Sequence, residues 1–295
     1  MKRPAFTIIE ILVVVAIIGM LVGMLVPAVQ MARESSRRMA CQNSLRQIGL
    51  AMHVHHDARQ RLPTCEHYSL VPGQPDRWGW LPKLLPALGD QARFDQLDFS
   101  APTWWGGNYA LLREPQPAVL CPSNPLARDL REEENFAAPD WMLSQADYAA
   151  NIGDHTNISG VGELPPFGNA VGSGIRGVMG RVGWSARWQD ITDGLSKTFA
   201  VGECVGSLSI VQNFASQSFA TTAHPINHMN ESLLQAPPTN ANPRWDESIG
   251  FRSLHPGGAN FMMCDGAIRF VAAEIDGATY RGLASRAGQE PDSAP

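Results

Sequence analysis

The sequence predicts an α+β protein in which one long N-terminal α-helix packs on an antiparallel β-sheet with long loop insertions. A helical pattern extends from the N-terminus to about Asp57. From Leu62 onward the apolar runs shorten, and turn signals recur about every ten residues, as in a strand-rich domain. Near the C-terminus the pair Asp265-Gly266 lies between two apolar segments, which is a strong hairpin signal.

The N-terminal segment is expected to be a retained membrane anchor. A short basic leader, residues 1–5, precedes Phe6, and an uncharged apolar stretch follows from Ile11 to Val29. Its length is close to the roughly 20 residues that a helix needs to cross a bilayer. No A-x-A-like cleavage site follows the stretch, and the helical pattern continues past Arg33.

Glu10 is a carboxylate at the start of this apolar helix, where a charge is costly and needs a partner or a role. Thr7 and Glu10 fit a capping box, in which each side chain satisfies the backbone donor of the other. In the alternative, Glu10 pairs with a freed N-terminal amine at Phe6, in its own chain or in a neighbouring one. The residues alone leave both explanations open.

Gly19, Gly23 and Pro27 recur at four-residue spacing and share one helix face. A G-x-x-x-G pattern allows close approach of helices in membranes, although simple tolerance of glycine in such helices explains it equally. Pro27 cannot donate to the Gly23 carbonyl, so we expect a kinked or loosened helix there.

The second half of the helix is expected to pack on a globular domain. Cys41, Leu45, Ile48 and Met52 form an amphipathic stripe at spacings of four, three and four. The predicted segments are the leader at 1–5, a helix at 6–60 with its membrane part at about 8–29, a globular domain at 61–285 and a tail at 286–295.

Composition restricts the partners and the redox chemistry. A pI near 5.9 and a net charge of -5 leave no basic footprint, so no nucleic-acid partner is expected. Five cysteines suit an oxidising compartment. The odd count leaves at least one unpaired, and the sequence does not assign the bridges.

The N-terminal run resembles that of type IV prepilins and type II secretion pseudopilins. The resemblance implies a pilin-like fold, cleavage between Ala5 and Phe6 by a prepilin peptidase, and N-methylation of Phe6. The residue before the cut is usually Gly and is Ala5 here. The resemblance also gives Glu10 the role of aligning subunits and places Pro27 where these proteins carry a helix-melting proline.

The same resemblance implies a cellular location and partners. The chain is expected to be a single-pass protein of the inner membrane with its C-terminal domain outside the cytoplasm. There it would assemble with other pilin-like subunits, or with itself, in a periplasmic or surface filament.

A second resemblance covers nearly the whole chain after the leader. His255 and the pair Asp265-Gly266, with nine residues between them, form the signature of the H-x9-DG domain of DUF1559 prepilin-like proteins. The segments Cys41–Gly49, Cys121–Ser123 and 190–203 also resemble that family. It implies a pilin-like fold and brings no established activity.

The hairpin signal also predicts a register. Pairing outward from a two-residue turn places Met263 opposite Ile268 and Phe261 opposite Phe270. These four side chains would form one apolar face, packed on the core near the helix stripe.

Two histidine groups are candidate metal ligands, each with a simpler explanation. His53, His56 and Asp57 share a helix face, but a solvated helix end near the C-terminal dipole explains them. His224 and His228 have i, i+4 spacing in loop-like surroundings.

Two aspartate groups are treated in the same way. Asp190 and Asp193 precede Gly194, and an ordinary Asp-Gly turn before a strand explains them. Two nearby aspartates could instead contribute to a calcium site, but their spacing matches no EF-hand loop. His255 and Asp265 have no nucleophile motif beside them, so we favour a turn-capping histidine and a hairpin-fixing aspartate.

The sequence therefore predicts a pseudopilin-like structural subunit of a type II secretion or type IV pilus-like system. It predicts no catalytic residues, no metal ligands and no cofactor. The alternative is a membrane-tethered extracytoplasmic binding module that uses the pilin-type helix only as an anchor.

Overall fold

The computed structural model describes residues 8–66, 78–132, 142–154, 175–180, 183–209, 212–228 and 248–288. The predicted leader, with Ala5 and Phe6, lies outside the described residues. The helices are α1 (Ile8–Arg59), α2 (Gln91–Phe94), α3 (Gly106–Leu112) and α4 (Gly277–Gly282). The strands are β1 (Arg131–Glu132), β2 (Met142–Leu143), β3 (Tyr148–Asn151), β4 (Phe199–Glu203), β5 (Phe219–Ala220), β6 (Gly258–Met263) and β7 (Ile268–Ala272).

Helix α1 has two halves with different surroundings. Residues 8–33 are exposed on every side, and at 1.5 Å per residue they project by roughly 39 Å. The predicted stripe from Cys41 to Met52 is buried against the domain, which confirms the amphipathic second half. The helix is continuous through Pro27.

The main sheet has five strands in the order β5-β3-β4-β6-β7. Strands β3, β4, β6 and β7 pair antiparallel with their neighbours, but β5 lies parallel to β3. The prediction of an antiparallel sheet is therefore wrong at this edge. In the loop after β4, Asn213 forms an antiparallel bridge with Gln145, which lies just before β3. The chain then reverses direction, so that β5 pairs parallel with β3. Sequence periodicity does not show this reversal. The fold class is α+β, as predicted.

The β6–β7 hairpin forms, but its register differs by one residue from the prediction. Met262 pairs with Ile268 and Asn260 with Phe270. The loop contains three residues rather than two, because the Gly266 amide donates to the Met263 carbonyl and the Met263 amide donates to that of Ala267. Gly266 has a φ of 86°, as the glycine of such a three-residue loop requires.

A shift of one residue exchanges the faces of a strand. Met262 therefore points to α1, and it packs so closely on Gly49 that a Cβ there would overlap its sulfur. Phe261 and Met263 face the opposite side, in a second core with Phe199 and Tyr280. Both faces of the sheet are covered, one by α1 and the other by α4 and the loops.

The C-terminal segment continues along the domain through Gly288. The backbone of Arg286 accepts from the Asp193 amide and donates to the Arg176 carbonyl, and its guanidinium lies 4.9 Å from the centre of the Trp184 ring. Residues 289–295 lie outside the described part of the chain.

Candidate functional site

Four buried residues meet where α1 joins the domain, and we call them the junction cluster: Cys41, Cys121, Glu203 and His255. Cys41 of α1 forms a disulfide with Cys121, with the Cα atoms 5.5 Å apart. The other three cysteines, Cys65, Cys204 and Cys264, are buried and lie outside this disulfide. The disulfide fastens the helix to the domain at the start of its buried stripe.

His255 lies at the centre of the junction cluster. Its Nδ1 atom lies 2.5 Å from Oε1 of Glu34 on α1. On the other side of the ring, Nε2 lies 3.4 Å from Oε1 of Glu203 and 3.9 Å from Sγ of Cys121. The predicted turn-capping role of His255 is therefore wrong, because its imidazole joins two carboxylates and the disulfide. Asp265 does fix the hairpin, since its Oδ1 accepts from the Ala267 amide at 2.9 Å.

Strand pairing positions Glu203. It ends β4, beside β6, where its Oε2 accepts from the Asn260 amide at 2.8 Å and its Oε1 from Asn260 Nδ2 at 2.9 Å. Gln42 of α1 donates from Nε2 to Oδ1 of Asn260 at 3.1 Å. Hydrogen bonds thus hold the buried carboxylate from the sheet and, through Asn260, from the helix.

The environment of the cluster shifts several pKa values. Burial opposes a charged imidazole, but hydrogen bonds to Glu203 and Glu34 outweigh it and raise the pKa of His255. Burial likewise acts to raise the pKa of Glu34, but hydrogen bonds with His255 and Arg37 lower it. Burial raises the pKa of Asp147, which accepts from the Cys121 amide, to about 6. A protonated His255 between two carboxylates is the arrangement that these shifts favour.

The junction cluster is also the group that could hold a metal ion. One ligand atom of each member lies within 4.8 Å of the others, and this is the one such group of histidine, cysteine and acidic side chains across the described ranges. The sequence analysis did not group these four residues, because they come from four distant segments. The signal was there in part, since Cys41, Cys121, Glu203 and His255 all fall in the family-like motifs.

The predicted histidine groups have other neighbours. His53 stacks on Trp188 at 4.7 Å between ring centres, and Nε2 of His56 accepts from the Trp188 amide at 3.2 Å. His224 and His228 stack on each other.

The two candidate calcium ligands bind different protein groups. Asp190 pairs with Arg187, whose hydrogen bonds lower the pKa of that carboxyl. Asp193 accepts from the Gly288 amide.

The predicted assembly residues lie on the exposed half of α1. Glu10 is exposed near the N-terminal end of the described helix, and neither Gly19 nor Gly23 would meet another atom if it carried a Cβ. Both proposed partners of the Glu10 carboxylate, the Thr7 backbone amide and the Phe6 amine, lie outside the described residues. Pro27 lies within the same exposed surface.

A cavity of about 880 Å³ opens beside the C-terminal end of α1. Arg59, Arg61 and Lys83 lie at its edge, and none of the described residues that line it is acidic. Lys83 also pairs with Glu66. Apolar side chains, among them Phe94 and Phe99, form the rest of the wall.

The cavity affects His55, which lines it. Burial, helped by the nearby charges of Arg59 and Lys83, lowers the pKa of His55 to about 4. An unfolded chain has an ordinary histidine pKa near 6.5, so between about pH 6.5 and pH 4 it binds more protons at this site than the folded chain does. We therefore expect the free energy of unfolding to decrease as the pH is lowered from about 6.5 to about 4. His55→Gln should make this decrease smaller. Urea unfolding of both proteins at several pH values measures it, and parallel pH profiles would contradict it.

The fold and these sites define a class: an α+β domain carried on a long helix whose exposed half is apolar and long enough to cross a membrane. The chain belongs to the family SBP_bac_10, described as a protein of unknown function (DUF1559), whose model matches residues 30–278. The match begins just after the exposed apolar segment and ends within α4. No curated protein and no solved structure matches the chain.

Proposed function

We propose that the chain is a pseudopilin-like structural subunit of a type II secretion or type IV pilus-like system. Prepilin peptidase would cut between Ala5 and Phe6 and leave the methylated amine at Phe6. The inner membrane then holds the free subunit by α1, with the globular domain outside the cytoplasm. Subunits leave the bilayer by packing their α1 helices together in a filament, and no enzymatic activity is part of the role.

The observation that supports this proposal most is the division of α1. Residues 8–33 are exposed on every side, and their apolar side chains include Leu12, Leu21 and Leu25, each more than half exposed. The domain covers none of this surface, so lipid or other helices must do so. A single spanning helix needs lipid contact all round, and a filament of such helices provides an equivalent apolar environment.

Glu10 is the charged residue that distinguishes an assembling helix from a simple anchor. In an apolar filament core its carboxylate needs a cationic partner, and the methylated amine of a neighbouring subunit is the one that we propose. Glu10→Ala removes the attraction and is expected to reduce multimers to background while membrane insertion persists.

The measurement is oxidative cross-linking in the native membrane of a chain that carries Leu12→Cys and Leu25→Cys. The five native cysteines are all buried, and Cys41 and Cys121 are joined in the disulfide, so the introduced thiols are the accessible ones. Gln30→Ala, at another exposed polar position of α1, is the matched control and should keep the multimer ladder. An undiminished ladder in Glu10→Ala would refute assembly through this residue.

The cavity supports a second candidate, a membrane-tethered binding module. An apolar wall with a rim of Arg59 and Arg61 suits a small organic anion with an apolar body. In lipid nanodiscs, the double change Arg59→Gln and Arg61→Gln should weaken binding of naphthalenesulfonate, whereas Arg128→Gln at a distant exposed site should not. Equal binding by all three proteins would exclude this use of the cavity.

A further inference from the structure

We propose that the junction cluster binds one Zn²⁺ when its disulfide is reduced. The ligands are the two sulfurs of Cys41 and Cys121, Nε2 of His255 and Oε1 of Glu203. The disulfide and the zinc complex are then two alternative closed states of one site, and each fastens α1 to the domain.

Two of the distances within the cluster are already close to those of such a site, and all four ligand atoms lie within 4.8 Å of one another. With Zn–S near 2.3 Å and Zn–N or Zn–O near 2.0–2.1 Å, a tetrahedral ion sets N and O ligands about 3.3 Å apart, and N and S ligands about 3.6 Å apart. Nε2 of His255 lies 3.4 Å from Oε1 of Glu203 and 3.9 Å from Sγ of Cys121. The sulfur pair is the edge that must open, to about 3.8 Å, and cleavage of its bond permits this.

The outer contacts match those of metal-ligating side chains. A histidine ligand usually donates its second ring N–H to a carboxylate, which turns the other nitrogen toward the metal. Glu34 provides that carboxylate, 2.5 Å from Nδ1 of His255. The hydrogen bonds of Asn260 hold Glu203 in the same manner. These contacts keep both ligands oriented whether or not an ion is present.

The donor set selects the metal. Two thiolates, an imidazole and a carboxylate suit zinc, whereas calcium and magnesium prefer sites made of oxygen alone. The four residues are buried, with exposures of 7% or less, and all four coordination positions come from the protein. A small cavity of about 10 Å³ lined by Cys121 and Glu203, about the space of one water molecule, lies beside them. A closed site of this kind is structural rather than catalytic.

The change of state needs a reductant, which we name as a dithiol. Its two electrons break the bond between the Cys41 and Cys121 sulfurs, its two protons convert them to thiols, and it becomes a disulfide itself. Zn²⁺ then replaces both thiol protons and any proton on Nε2, and these protons pass to solvent. The reverse sequence, loss of zinc and oxidation by a disulfide donor, restores the bridge.

The test uses the full chain purified in detergent, once oxidised and once reduced with a phosphine and desalted without air. Both forms are titrated with Zn²⁺ against a chromophoric chelator, and the reduced form also with Co²⁺. We expect one zinc per reduced chain and none per oxidised chain. Co²⁺ should give the thiolate charge-transfer band and the intense d–d bands of a tetrahedral site.

The variants assign the ligands. Cys121→Ser and His255→Gln should remove tight binding, while Cys204→Ser, which changes a buried thiol outside the cluster, should keep it. Glu34→Gln, at a positioning residue, should weaken zinc binding by about 10–100-fold without removing it. A reduced wild-type chain with no zinc, or with no thiolate band from Co²⁺, would overturn the proposal without any variant. Equal zinc binding by the oxidised chain, or undiminished binding by His255→Gln, would overturn it too.

Discussion

Glu203→Ala is expected to lower the free energy of unfolding of the globular domain by about 3–5 kcal/mol. The carboxylate is 1% exposed and accepts two hydrogen bonds from Asn260. Its removal leaves the Asn260 donors without their acceptor and a protonated His255 with Glu34 as its remaining carboxylate, and such buried groups are costly. The measurement is urea unfolding in detergent followed by tryptophan fluorescence, since all eight tryptophans lie at or beyond Trp78.

Two further variants show whether burial and pairing cause this loss. Glu203→Gln keeps the shape and one acceptor, so its effect should be smaller than that of Glu203→Ala. Glu274→Ala removes an exposed carboxylate two residues after the end of β7 and should change stability by less than about 0.5 kcal/mol. If Glu203→Ala and Glu274→Ala unfold at the same urea concentration, the junction cluster does not stabilise the domain.

Loss of the disulfide is expected to have a similarly large effect. The bond joins residues 80 positions apart, and the chain-entropy estimate for such a loop is about 4.5 kcal/mol. Cys41→Ser combined with Cys121→Ser should therefore unfold at much lower urea than the oxidised wild type, with chelator present to remove metal ions. The cause is the larger conformational freedom of the unfolded chain once the loop is open.

The single change Cys41→Ser separates the bond from the packing. It breaks the same bridge, so it should cost nearly as much as the double change. Reduced wild type in the presence of chelator should approach both variants, and adding reductant to either variant should have little effect. Equal stability of the oxidised wild type and the double variant would contradict this prediction.

The sequence predicted α1 and its buried face correctly, because a long run of apolar residues at helical spacing fits only an α-helix with one apolar face. Spacings of four, three and four from Cys41 to Met52 place these residues on one face, and that face is the buried one. The uncharged apolar stretch from Ile11 to Val29 predicted a helical surface outside the domain, and the domain leaves that surface uncovered. A helical pattern of this length outweighs the helix-breaking tendency of one proline, and α1 continues through Pro27.

The hairpin shows where sequence reasoning fails on a detail. Asp265-Gly266 marks the turn correctly, but the same pair occurs in a two-residue loop and in a three-residue loop with glycine at its end. The choice depends on tertiary contacts, among them the Cys264 amide donating to Thr198 and the Asp265 amide donating to Leu195. One residue of difference placed Phe261 on the wrong side of the sheet.

The family-like motifs contain all four members of the junction cluster, but the sequence does not show that they meet. These members, Cys41, Cys121, Glu203 and His255, lie at least 50 residues apart in the sequence, so no local pattern relates their positions. Motif resemblance singled out His255, but the role inferred from its neighbours in the chain was wrong. Its partners come from α1, from β4 and from the loop that contains Cys121, and they meet only after the helix has packed on the sheet.

Processing at the N-terminus is the central claim of the proposed function, and intact mass with N-terminal sequencing tests it most directly. The protein is extracted from membranes of a host that has a prepilin peptidase. We predict a chain that lacks residues 1–5, begins at Phe6 and carries one added methyl group on its amine. An uncut chain that begins at Met1 would contradict pilin-type processing and would leave the tethered binding module as the better account.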